Sequence, residues 1–221
     1  MSNIFNVGGE GKNAAFKKDI IKYFVANGNS TIQELAKDTL LSVPTVTKAV
    51  TELIELGYIV EYGKQETSEG RRPILYGLNP ESGFFVGVEI KVDFINLGLM
   101  NFRGDLVELD DNVPCRVDNT MESVEELCRL VTQFIDKSEV DKSRIQNIMF
   151  CISGRVNSAT GYSHTLYNFS EQPLTRLLSD ILGYRVDIEN DTRAFAYGEY
   201  TQGVVRGERD VLFINASWGL G

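Results

Sequence analysis

Apolar positions recur at helical spacing along residues 13–26, where Phe16, Ile20, Ile21, Phe24 and Val25 form one stripe and Asn27-Gly28 ends the run. A second, short helix is predicted from Ser30-Thr31-Ile32-Gln33-Glu34, because a Ser/Thr start with Gln or Glu three residues on is a capping-box signature. Ala36 is small where two helices must cross closely. After a break at residues 38–41, Ser42 reads as the N-cap of a third helix, with Pro44 in the first turn, where a missing N–H costs nothing. Val46, Val50, Leu53, Ile54 and Leu56 give that helix its stripe, and Gly57 stops it. The period then shortens. Residues 58–62 and 73–78 read as two strands joined by a polar, glycine-containing tip, GKQETSEGRR.

Three helices followed by a hairpin predict a winged helix-turn-helix over residues 1–80, a module that meets double-stranded DNA. The polar face of the third helix carries Thr45, Thr47, Lys48 and Thr51 near its N-terminal end, and Ser42 caps it. Recognition helices present that end to base edges in the major groove. Ser42, Thr45, Thr47 and Lys48 are therefore the expected base-reading set. In the wing, Lys64, Arg71 and Arg72 suit phosphates or a narrow minor groove.

Pro80-Glu81-Ser82-Gly83 reads as a hinge to a second domain over residues 84–221. Strands are expected at residues 84–90, 93–100 and 106–113, then an amphipathic helix at 123–137 with Val124, Leu127, Leu130, Val131 and Phe134 on one side. A strongly apolar strand at 145–152 runs into Ser153-Gly154-Arg155-Val156-Asn157, followed by a helix at 174–182, a strand at 185–189 and a helix at 192–200. A meander of three strands followed by alternating helix and strand predicts an α/β lobe with a mixed sheet.

Charge sharpens this division. Residues 1–80 hold nine Lys/Arg and nine Asp/Glu, whereas residues 81–221 hold thirteen and twenty-two and so supply the whole net charge of −9. The acidic part would repel phosphate, which confines DNA contact to the neutral N-terminal part. The three cysteines, Cys115, Cys128 and Cys151, are far apart and never in a CxxC spacing, which favours small buried thiols in a reducing cytoplasm over disulfides or zinc. No apolar run approaches the roughly 20 residues of a membrane span, and the N-terminus has no secretory pattern, so a cytoplasmic protein without membrane contact is expected.

The order of a wing ending in Gly70-Arg71-Arg72-Pro73, then GVEI and a meander, SGRVNSATG, Asn168, IENDTRAFAYGE over residues 188–199 and NASWGLG at the end resembles the ROK family of repressors and sugar kinases. The resemblance is to its regulator branch, which includes repressors answering to xylose or N-acetylglucosamine derivatives. It implies an actin- and hexokinase-like (ribonuclease H-like) fold of two lobes with sugar bound in the cleft between them. Asn190 and Asp191, where a strand gives way to a helix, can chelate vicinal sugar hydroxyls. Helix N-capping explains the same two residues equally well. Gly154, in a turn, lets a ligand approach the backbone, and Asn168 matches the family's further sugar contact, although turns alone account for a Gly and an Asn.

Kinases of the family carry a D-x-G-G-T turn whose amides meet ATP phosphates, whereas this chain reads Glu89-Ile90-Lys91-Val92-Asp93. Side chains at those positions obstruct the approach that glycines permit. A regulator without catalysis or cofactor is therefore expected, probing the cell for a sugar or sugar phosphate and binding its operator as a homodimer. The alternative is an ATP-dependent sugar kinase with Asp191 as general base. A single histidine, His164, cannot build a His-containing metal cluster here and reads as a surface loop residue. The apolar run at 210–215 is expected as a strand opening a second lobe, and so a truncated polypeptide, or one completed by a second chain, is expected.

Overall fold

A computed structural model of the chain describes residues 12–64, 73–203, 205 and 207–215. The backbone divides into two units, one taking Met1–Ser82 with Asn101–Asp105, the other Gly83–Met100 and Leu106–Gly221.

In the first unit, helices α1 (Lys12–Asn27), α2 (Ile32–Asp38) and α3 (Val43–Glu55) precede the antiparallel strands β1 (Ile59–Lys64) and β2 (Ile74–Leu78). The capping box forms as the sequence predicts: the Glu34 backbone N–H donates to the Thr31 hydroxyl, and the Thr31 N–H donates to the Glu34 carboxylate at 2.9 Å. Two orphan amides of α2 are thereby satisfied. Ser30 adds an isolated antiparallel bridge to β2 by exchanging backbone hydrogen bonds with Tyr76, both 2.9 Å. Ile20, Leu35, Val46, Val50, Leu53 and Ile59 meet in the core.

The stripes differ in detail from their periodicity. Val25 and Leu56 are exposed because each lies in the last turn of its helix or just past it, beyond the reach of the core, and Ala49 is buried in their stead. Lys17 is buried as well, its ammonium 2.6 Å from the Glu52 carboxylate, so an ion pair ties α1 to α3. The turn Asn101–Asp105 belongs to this unit, with the Phe102 ring 5.6 Å from that of Tyr58.

In the second unit, β3 (Phe84–Ile90), β4 (Phe94–Asn101), β5 (Leu106–Pro114), β6 (Ile145–Ile152) and β9 (Val186–Asn190) form one sheet in the order β5-β4-β3-β6-β9. β4 and β5 are antiparallel, while β6 runs parallel to both β3 and β9. Helices α4 (Met121–Lys137) and α5 (Leu174–Leu182) supply Val124, Leu127, Val131, Phe134 and Leu178 to the core, against Val86, Val88 and Ile90 of β3. The strict alternation of β3 sends Glu89 to the opposite face of the sheet from those three. A short ribbon, β7 (Val156–Asn157) with β8 (Tyr162–Ser163), interrupts the crossover from β6 to α5, and periodicity does not reveal it because each strand is two residues long.

Helix α6 (Asp191–Gln202) follows β9 directly. Its aromatic residues Phe195, Tyr197 and Tyr200 are exposed. The strand expected at 210–215 is not formed: residues 211–215 have no regular structure, and β9 is the last strand on its side of the sheet. An apolar run becomes a strand only where a neighbouring edge takes its backbone N–H and C=O groups. Among the described residues no helix is long and apolar enough to cross a membrane.

Candidate functional site

The first unit presents a polar surface at the start of α3. Ser42 caps the helix by accepting from the Thr45 N–H at 3.3 Å, and the Ser42 and Thr45 hydroxyls lie 2.7 Å apart. The Thr47 hydroxyl donates to the Val43 carbonyl at 2.8 Å, and that of Thr51 to the Thr47 carbonyl at 2.9 Å. These bonds fix each rotamer and spend the hydroxyl proton, while the oxygen lone pairs stay open to donors such as an adenine or cytosine amino group. Ser42, Thr45, Thr47 and Lys48 are all exposed. The Lys48 ammonium stands 4.0 Å from Glu52, which already binds Lys17, so α1 and the basic edge of α3 share one carboxylate.

Leu40 and Val43 were not singled out by the sequence and are also exposed on this rim, Leu40 at 91% and in the left-handed region with φ 57°. Neither falls on the buried stripe, and that mismatch was the available signal. Apolar groups beside a recognition helix suit contact with a thymine methyl. In the wing, Lys64 ends β1 and is exposed, whereas Arg71 and Arg72 lie outside the described residues.

In the second unit, parallel pairing of β6 with β9 sets Ile152 beside Asn190. Both strands end there, which brings Ser153, Gly154, Asn190 and Asp191 together. The Asn190 side-chain amide donates to the Gly154 carbonyl at 3.0 Å, and its oxygen caps α6 by accepting from the Arg193 N–H at 3.0 Å. The Ser153 hydroxyl donates to one Asp191 carboxylate oxygen at 2.6 Å, and the Thr192 N–H to the other at 2.8 Å. The oxygen of Asn190 thus serves the cap, while its amide and the Ser153–Asp191 bond hold the group in place. Gly154 has φ +91°, and a Cβ there would come within 2.6 Å of the Thr165 hydroxyl, so only glycine fits. The group offers a carboxylate, an amide and a hydroxyl on one rim, a donor and acceptor set matched to vicinal hydroxyls.

Asn168 makes no hydrogen bond to that group. Its oxygen accepts from the Asn119 amide at 2.7 Å and its own amide donates to the His164 carbonyl at 3.2 Å. The link to the Asn190 group runs through backbone: the His164 N–H donates to the Arg155 carbonyl at 2.8 Å, next to Gly154.

The turn between β3 and β4 holds Lys91, Val92 and Asp93. Glu89 accepts from the Asn96 amide at 2.7 Å and pairs with the Lys91 ammonium at 2.5 Å. The Lys91 N–H, which a phosphate would need, is spent on the Phe94 carbonyl at 3.0 Å. A carboxylate and a used amide occupy the ground where backbone donors would meet an anion. Burial, assisted by Glu89, Asp191 and Glu189, pushes the nearby Cys151 thiol up to about 11, which leaves it un-ionised and a poor nucleophile at neutral pH. Among the described residues no group of His, Cys, Asp and Glu is placed to hold a metal ion.

Comparison with known proteins gives two matches along the chain: a winged helix-turn-helix DNA-binding profile over residues 15–60 and the ROK family profile over residues 85–221. The xylose repressor of Bacillus subtilis strain 168 is 25% identical over 206 residues, 93% of this chain and 53% of that protein. A crystal structure of a ROK family transcriptional regulator, a homologue of the Escherichia coli MLC protein, superposes with a TM-score of 0.64 at 22% identity, over 84% of this chain and 47% of that one. A ROK family glucokinase from Streptomyces griseus, solved with glucose and AMPPNP, has a TM-score of 0.51 at 26% identity, over 63% of this chain and 43% of that one. The chain spans about half the length of the relatives it matches.

Proposed function

The chain belongs to the ROK family, and from that membership we propose that it is a DNA-binding transcription regulator, a repressor of carbohydrate-utilisation genes controlled by a sugar effector. The observation that carries this reading is the exposed, preorganised face of α3 formed by Ser42, Thr45, Thr47 and Lys48, on a winged helix-turn-helix. Groups of that length at a helix N-terminus read base edges, while Lys64, Arg71 and Arg72 of the wing add sequence-independent attraction to phosphate. Paired in a homodimer, two such helices meet half-sites about 34 Å apart. The protein acts in the compartment that holds the DNA, the cytoplasm.

Gly154, Asn190 and Asp191 hold the effector by its hydroxyls, and Asn168 joins them once its bond to Asn119 opens. A sugar can shift DNA binding only by binding one conformation of the regulator more tightly than the other. The similarity to xylose repressors makes xylose the first sugar to offer. The protein is a sensor and not an enzyme, because the Glu89–Lys91 pair stands where phosphoryl transfer needs open amides.

A gel-shift titration of the full-length protein on the DNA upstream of its own gene, with and without a sugar panel, tests this reading. Specific binding that a sugar releases is expected. Loss of specific binding altogether would remove the regulator reading. The similarity to a glucokinase favours one rival. Sugar-dependent ADP release that disappears in Asp191→Ala would replace the sensor with a kinase.

A further inference from the structure

Between β8 and α5 the second unit carries a half-open polar cavity of about 260 Å³ that shares only Asn168 with the sugar reading; its lining includes Tyr162, His164, Asn168, Ser170, Glu171 and Gln172. Sites for whole drug-sized ligands begin at roughly 300 Å³, so this one accommodates a single ring-sized group and not a complete ligand. The side chains of His164, Glu171 and Gln172 are exposed at this cavity and, among the described residues, make no hydrogen bond within the protein, so all three are available to a ligand. The loop that carries them is held in shape. The Tyr162 hydroxyl donates to the Glu171 carbonyl at 3.0 Å, and the Gln172 N–H donates to the Ser170 hydroxyl at 3.2 Å.

The chemistry of this lining selects its occupant. Imidazole, two carboxamides, a carboxylate and hydroxyls can each meet a hydroxyl group, which is both donor and acceptor. An anion is disfavoured: the lining contains Glu171 and no lysine or arginine. Helix α5 begins at the cavity, yet its first-turn amides are taken. The Thr175 N–H donates to the Gly161 carbonyl, and those of Arg176 and Leu177 donate to Pro173. No ready-made phosphate site remains there.

Position supplies the second argument. The cavity and the Asn190 group are fastened to the same short ribbon. His164 lines the cavity and bonds the Arg155 carbonyl, while Thr165, the next residue, accepts from the Arg155 N–H at 3.0 Å and packs against Gly154. Asn168 lines the cavity too.

We propose that this cavity is a second saccharide subsite, so that the effector is a neutral sugar of at least two rings and not a sugar phosphate. The inference rests on the reading of Gly154, Asn190 and Asp191 as the seat of the first ring. His164, Glu171 and Gln172 then hold the second ring by its hydroxyls.

Titration calorimetry on the full-length protein tests it with matched pairs, xylose against xylobiose and glucose against cellobiose, and with inorganic phosphate as competitor. One disaccharide is expected to bind about tenfold tighter than its monosaccharide, the worth of one or two net hydrogen bonds. Gln172→Ala and His164→Ala should each shrink that ratio towards one and leave the monosaccharide Kd unchanged. Equal affinities within both pairs, an undiminished ratio in both variants, or competition by phosphate would each overturn the second subsite while leaving the sugar sensor standing. Failure of every sugar to bind, in a protein that still binds DNA, would overturn the sensor itself and this inference with it.

Discussion

The side-chain amide of Asn190 donates to the Gly154 carbonyl at 3.0 Å while the oxygen of the same side chain caps α6. One residue therefore closes a helix and braces the turn that follows β6. The two duties are separable by substitution. Serine is as good an N-cap as asparagine but too short to reach Gly154. Asn190→Ser should keep stability within about 0.5 kcal/mol of the parent and lose sugar binding, whereas Asn190→Ala should also lose about 1 kcal/mol of stability. Urea unfolding and calorimetry measured on both variants check this. Equal destabilisation by Ser and Ala would mean that the Gly154 bond, and not the cap, carries the stability.

Gly154 itself tolerates no side chain. Its φ of +91° is costly for any other residue, and the Thr165 hydroxyl would stand 2.6 Å from a new Cβ. Gly154→Ala should cost about 1–3 kcal/mol, the range of a backbone strain held by its surroundings. The urea midpoint should fall with no change in m value.

The Lys17–Glu52 pair is unequal: the lysine side chain is 6% exposed and the carboxylate 26%. Removing either partner strands the other, and the deeper one suffers more. Glu52→Gln should therefore destabilise the protein more than Lys17→Met, with losses up to about 3–5 kcal/mol for the former. A double-mutant cycle in urea, with Lys17→Met and Glu52→Gln combined, should show positive coupling. Equal losses from the two single variants would contradict the ranking.

Lys64 of the wing and Thr47 of α3 should separate affinity from specificity. Lys64→Ala should weaken binding across all sequences and lower the slope of log K against log salt by about 1. Thr47→Val should relax preference at one base pair, by about 1–3 kcal/mol, with the slope unchanged. Fluorescence anisotropy at several salt concentrations on operator and scrambled DNA distinguishes the two.

Burial pushes the Cys128 thiol up to about 12 and that of Cys151 up to about 11, from an ordinary value of 9.0. Both protons are held in the folded state and released in the unfolded state once pH exceeds about 9, so the unfolded state binds fewer protons in that window. Stability should be independent of these thiols below pH 9 and fall as pH climbs from there through 11 to 12. Cys128→Ala should flatten part of that decline in urea midpoints measured between pH 8 and 11. A decline of the same steepness in the variant would assign it to other groups.

Much of this molecule follows from local rules. The Thr31–Glu34 capping box, the Ser42 cap, the stripe of α3 and the alternation of β3 depend on neighbours within a turn or a strand, so the residues that encode them also satisfy them. The departure Glu89-Ile90-Lys91-Val92-Asp93 was equally plain in the sequence, because side chains cannot take the place of glycines. What tertiary structure alone decided depends on partners far along the chain. Burial of Lys17 required Glu52, thirty-five residues later, to be brought to it by helix packing. The run at 210–215 has strand-like composition but pairs with no strand among the described residues, and β propensity without a paired neighbour makes no ladder. The grouping of Gly154 with Asn190 and Asp191 came from the parallel register of β6 and β9, and the cavity beside Asn168 from a ribbon too short to leave a periodic signal. Local chemistry fixed the elements; long-range pairing chose which of their ends would meet.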